Sequence, residues 1–173
     1  MNIYLIGMRA VGKSSVGRML AASMGRTFID LDLELTAAFG QSITDFVRIH
    51  GWAKFRRREE ALVVRIAGLK DHVIATGGGV VGSEANVTLM RAGGWVVWLK
   101  AGLDTLKQRL RADGNTRAQR PPIGQPADPL SELDSLLKER RAAYQRAMHV
   151  AVETDNRSLE SICRQILNEY NCR

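Results

Sequence analysis

One stretch near the start of the chain limits its fold more than any other. Residues 7–14 read Gly7-Met8-Arg9-Ala10-Val11-Gly12-Lys13-Ser14. They follow the apolar run Ile3–Ile6 and lead into Lys13–Met24, where Val16, Leu20 and Met24 recur at four-residue spacing until Gly25 stops the helix. A Gly-x-x-x-x-Gly-Lys-Ser loop between a strand and a helix turns its backbone N–H groups inward. The helix N-terminus adds positive potential, so such a loop is built to hold phosphate. Gly7 and Gly12 allow the tight path. Ala10, Val11, Gly12, Lys13, Ser14 and Ser15 are the expected contacts, with Lys13 on the terminal phosphates and Ser14 on magnesium. A chance match in a glycine-containing turn is the alternative.

The rest of the chain continues the alternation. Thr27–Asp30, His72–Thr76, Trp95–Leu99 and His149–Val152 read as further strands. Leu33–Phe39, Ile43–His50, Trp52–Leu69, Glu84–Arg91, Asp104–Arg111, a segment from Asp128-Pro129 to about Met148, and Ser158–Tyr170 read as helices. Alternation of this kind predicts a mainly parallel sheet covered on both faces, with ligands beyond the carboxyl ends of the strands. Three segments directly follow predicted strands and should converge there: Gly7–Ser14, Asp30–Asp32 and Gly77–Gly79.

Each has its own chemistry. Asp30 and Asp32 lie two apart at a strand end, one suited to a metal that keeps waters, the other to a hydroxyl proton. Capping of the next helix by Asp32 is the competing reading. Gly77-Gly78-Gly79 can present backbone N–H groups to a small ligand, although a plain tight turn is the simpler alternative. Arg56 and Glu59 share a helix face at i, i+3. A surface ion pair worth little is the default for them. An Arg56 facing a carboxylate ligand would contribute more, through its bidentate fork. Asp113–Pro126 is irregular, with three prolines and several arginines, and such a segment inside a domain is usually functional.

Composition narrows the class. At 173 residues, 45% hydrophobic and 25% charged, the chain fits one domain of ordinary globular make-up. It has no run of 18 apolar residues and no basic leader before its short apolar start, so neither a membrane span nor a signal peptide is expected. Cys163 and Cys172, nine apart, fit neither a zinc site nor a redox pair, which points to the cytoplasm. The net charge of +7 suits polyanionic ligands but also nucleic acid. No nucleic-acid motif is present, and the arginines fall where a phosphoryl-transfer site would use them.

In order along the chain stand the phosphate loop, Asp30-x-Asp32, Ser42-Ile43, Phe55-Arg56-Arg57-x-Glu59-Glu60, Thr76-Gly77-Gly78-Gly79, Arg120-Pro121 and Arg140-x-x-x-Tyr144. In this set the chain resembles the shikimate kinase family from Met1 to about Tyr170. The resemblance implies an α/β P-loop NTPase fold in three layers. It has a five-stranded parallel sheet in the order 2-3-1-4-5, an acceptor part at about 32–62 and a lid at about 112–127. It implies ATP and Mg2+ as donor and cofactor, shikimate as acceptor, no nucleic-acid or membrane partner, and a monomer. Asp32 would orient or deprotonate the 3-hydroxyl, and Arg56 and Arg140 would bind the carboxylate. Gly77, Gly78 and Gly79 would line the ring, and Asp30 would act on magnesium with Ser14. Arg111 would pack near adenine. Arg120 would reach in from the lid, preferred over Arg117 because proline follows it. Another small-molecule P-loop kinase, such as one acting on gluconate, is the nearest alternative.

Overall fold

Strand β1, Asn2–Ile6, is buried along its whole length, as a strand covered on both faces must be. In the computed structural model, which describes residues 1–112 and 129–173, β1 is the middle of a five-stranded parallel sheet. The other strands are β2 (Thr27–Asp30), β3 (His72–Ala75), β4 (Gly94–Lys100) and β5 (Val150–Glu153), in the spatial order β2-β3-β1-β4-β5. Ile3 is in register with Val73 on one side and with Trp95 on the other. The expected order is the observed one.

The helices are α1 (Lys13–Met24), α2 (Leu31–Phe39), α3 (Ile43–Ala67), α4 (Glu84–Gly93), α5 (Leu103–Ala112), α6 (Pro129–Ala147) and α7 (Leu159–Asn171). Helix α1 is bracketed by two left-handed glycines, Gly12 at φ 100° and Gly25 at φ 61°. Ser42 caps α3 by accepting from the backbone N–H of Asp45 at 3.0 Å. The two helices expected at 43–50 and 52–69 form one element bent at Gly51, whose φ of 76° no helix interior allows. The bend lets the chain turn without a loop, and glycine is what permits it.

Helix α2 corrects one expectation. It begins at Leu31, not Leu33, and Asp30 is its cap, accepting from the Asp32 N–H at 3.1 Å. Asp32 therefore sits in the first turn. The core is continuous across the sheet, with Ile3, Leu5, Val73, Ile74, Val96 and Leu99 fully buried. Trp98 of β4 stacks on Tyr144 of α6 at 5.5 Å, which presses α6 onto the sheet close to the phosphate loop. Among the described residues no helix is long and apolar enough to cross a membrane. The expected lid, from residue 113 onward, and both Arg117 and Arg120 lie outside the described residues.

Candidate functional site

The three segments that follow β1, β2 and β3 do meet at one edge of the sheet. Gly7 leaves β1 at φ 142°, and a Cβ there would lie 2.4 Å from the backbone oxygen of Leu99. Only glycine fits so close to a neighbouring strand. Ala10 takes φ 62°, an uncommon conformation for a residue with a side chain, and Gly12 takes φ 100°. Alternating backbone handedness of this kind aims successive N–H groups at one point. The Lys13 ammonium is buried and spans the loop, donating to the carbonyls of Gly7 and Met8 at 2.8 Å each.

A groove opens over this loop, walled by Ala10–Val16, Arg18, Asp30, Asp32, Arg109, Ala112 and Arg157 among others. Ser14 donates its hydroxyl proton to Asp30 at 2.5 Å on the groove wall. A hydroxyl and a carboxylate side by side are hard oxygen donors that suit magnesium, which keeps several waters and binds few protein oxygens. Among the described residues there is no group of three or more His, Cys, Asp or Glu able to enclose a metal. A magnesium ion at Ser14 and Asp30 would therefore draw its remaining ligands from phosphate and water.

A second cleft adjoins the groove. Its wall brings together Arg9 from the phosphate loop, Asp32, Arg56 and Glu59 from α3, the glycines 77–79, and Leu136 and Arg140 from α6. Arg56 donates to Glu59 at 2.6 Å, and Glu59 is only 1% exposed. The surface ion pair expected by default is thus a pair with a buried carboxylate. Burial pushes the Glu59 carboxyl above the usual carboxylate range, against the lowering effect of the Arg56 guanidinium.

The triple glycine makes room for these groups. A Cβ on Gly79 would stand 2.3 Å from the Arg56 guanidinium, and one on Gly77 would stand 2.8 Å from Glu59 and 3.1 Å from Asp32. Its middle carbonyl, Gly78, accepts from Arg140 at 3.1 Å and from the Tyr144 hydroxyl at 2.5 Å. Trp52 and Phe55 lie under the Arg56 guanidinium, each with its ring centre 5.3 Å away, and complete an apolar floor. Asp32 lines both the groove and the cleft, so its carboxylate stands where the two spaces meet.

The structure separates two arginines that the sequence does not. Arg111, expected near adenine, is exposed and does not line the groove. Arg109 does line it, donating to the Val11 carbonyl at 3.2 Å and to the Thr154 carbonyl at 2.9 Å. Helical phase carries the signal: Arg109 lies three residues after the buried Leu106, whereas Arg111 lies five after it. Arg157, which donates to the Glu153 carbonyl at 3.1 Å, lines the same groove.

Comparison with known proteins agrees with this geometry. The family model described as shikimate kinase matches residues 9–171. The shikimate kinase of Symbiobacterium thermophilum is 41% identical over 173 residues, covering 100% of this chain and 98% of its own. Among solved structures, the shikimate kinase from Acinetobacter baumannii in complex with shikimate superposes with a TM-score of 0.91 at 32% identity, covering 99% of this chain and 93% of that one. A gluconokinase from Sinorhizobium meliloti, at 20% identity and a TM-score of 0.58, covers 96% of this chain and 89% of its own; that likeness extends to the fold alone.

Proposed function

The chain belongs to the shikimate kinase family, and from that premise we propose that it transfers the γ-phosphoryl group of ATP to the 3-hydroxyl of shikimate, giving shikimate 3-phosphate and ADP. The observation that carries this reading is the position of Asp32, in the wall of both the groove over the phosphate loop and the cleft lined by Arg56 and Arg140. Among the described residues, Asp32 alone lines both spaces, so a donor in the groove and an acceptor in the cleft would meet there.

Roles for the side chains follow. The loop N–H groups and Lys13 hold the phosphates, with Lys13 sharing its present carbonyl partners Gly7 and Met8. Ser14 and Asp30 would hold magnesium, which would supply neutralisation of the phosphate charge. Arg56 and Arg140 receive the acceptor carboxylate, and the buried Glu59 fixes the Arg56 fork. The backbone of Gly77–Gly79 leaves space for the ring beside them. Asp32 orients the attacking hydroxyl and accepts its proton as the bond to phosphorus forms. Phosphoryl transfer asks mainly for such positioning and charge neutralisation. Residues 32–62 are the acceptor part in this reading, the lid with Arg120 falls outside the described residues, and the enzyme works as a cytoplasmic monomer.

A coupled ADP-release assay with a panel of small hydroxy acids tests the reading. Turnover with shikimate and none with gluconate is expected; turnover with gluconate alone would overturn it. Light scattering of the purified protein checks the monomer.

A further inference from the structure

Arg9 belongs to the phosphate loop, yet its side chain points away from the groove that the loop serves. It lines the acceptor cleft. Its guanidinium lies 3.6 Å from Glu132 of α6, and both side chains are largely buried, at 12% and 15% exposure. A phosphate loop holds phosphate through backbone N–H groups and its lysine, and asks nothing of a long cation at this position. Burial and the nearby Arg140 both work against the charge of Arg9, while Glu132 supports it.

Glu132 stands in a stripe of α6. Glu132, Leu136, Arg140 and Tyr144 follow one another at four-residue spacing, which places them along one face of a helix. Leu136 and Arg140 line the cleft, Arg140 and Tyr144 hold the Gly78 carbonyl, and the Tyr144 hydroxyl lies 3.6 Å from the sulfur of Met8. The stripe therefore rests on the phosphate loop at both ends, through Met8 at one and Arg9 at the other.

We propose that Arg9 is a positioning residue for the acceptor: its ion pair with Glu132 fixes the face of α6 that carries Arg140 against the phosphate loop. The link joins the loop that holds the donor to the helix that holds the acceptor. It rests on the reading of the cleft as the acceptor site. Low dielectric in the cleft wall strengthens the pair, and breaking it frees the face of α6 that carries Arg140.

Steady-state kinetics of four proteins test this. Wild-type turnover of shikimate comes first, since its absence would sink the acceptor reading and not the pair. Given that turnover, Arg9→Met should raise the KM for shikimate about tenfold, with the KM for ATP within about twofold and kcat changed less than the shikimate KM. Arg9→Lys should stay within about threefold of wild type for shikimate, because it keeps the charge. Arg9→Met combined with Glu132→Gln should raise the shikimate KM no further than Arg9→Met alone, the non-additivity expected of a coupled pair. An unchanged shikimate KM in Arg9→Met, a rise confined to the ATP KM, or a double variant clearly worse than the single one would each overturn the proposal.

Discussion

At the scale of single residues, the site works by what is left out as much as by what is present. Gly79 matters because the Arg56 guanidinium occupies the place of a side chain, 2.3 Å from where a Cβ would stand. Gly79→Ala should displace that fork and raise the KM for shikimate by about 10- to 100-fold, the worth of a lost charge-assisted hydrogen bond, while ATP affinity measured by calorimetry stays near wild type. Asp32 stands at the meeting of the two spaces. Asp32→Asn should lower kcat by at least about 100-fold with ATP binding retained; near-normal turnover would remove it from the role of base. Much of this was legible from residue type and spacing, since Asp30-x-Asp32 and the three glycines each follow a strand. Which aspartate caps the next helix was not. The cap falls on Asp30 because α2 starts two residues earlier than periodicity suggests. Likewise nothing local distinguishes a surface Arg56–Glu59 pair from one whose carboxylate is 1% exposed.

At the scale of elements, α6 gathers the acceptor side. Its stripe of Glu132, Leu136, Arg140 and Tyr144 meets the phosphate loop and the Gly78 carbonyl, and Arg91 of α4 holds its far end by donating to the carbonyls of Arg146, Ala147 and Met148. Tyr144→Phe removes one donor to Gly78 while Arg140 still supplies another. It should therefore cost about 1 kcal/mol in denaturant unfolding. Its effect on the shikimate KM should exceed its effect on the ATP KM. Four-residue spacing made the stripe available in the sequence, and Arg140 and Tyr144 were named there through the family resemblance. Glu132 was not, because helical phase says which residues share a face but not which neighbour that face meets. The bend at Gly51 is a parallel case. The gap between two helices was visible, but its geometry, a sharp turn that needs no loop, belongs to the packed structure.

At the scale of the whole molecule, acidity should loosen the fold at a definite place. His149 leads into β5, and its Nδ1 accepts from the backbone N–H of Val96 at 2.9 Å, which requires an unprotonated nitrogen. Burial, then the charges of Arg91 and Arg173, hold its pKa below the usual histidine value. The unfolded chain thus binds this proton more readily, so stability should be full above about pH 6.5 and fall as pH drops through that value toward the lowered folded pKa. Urea unfolding at pH 7.5 and 5.5 checks the sign, and His149→Asn should flatten the difference. The sequence by itself determined the phosphate loop, the alternation that makes a parallel sheet, and the meeting of three strand ends at one edge. These depend on glycine conformations and on hydrophobic periods of a few residues, which local chain physics sets. Only the tertiary structure decided that Arg109 and not Arg111 faces the groove, that Glu59 is buried beneath Arg56, and that Arg9 of the donor loop pairs with Glu132 of the acceptor helix. Those contacts join segments as much as 123 positions apart. They exist because helices packed on a twisted sheet bring distant side chains into one low-dielectric cleft, where a charge must find its partner.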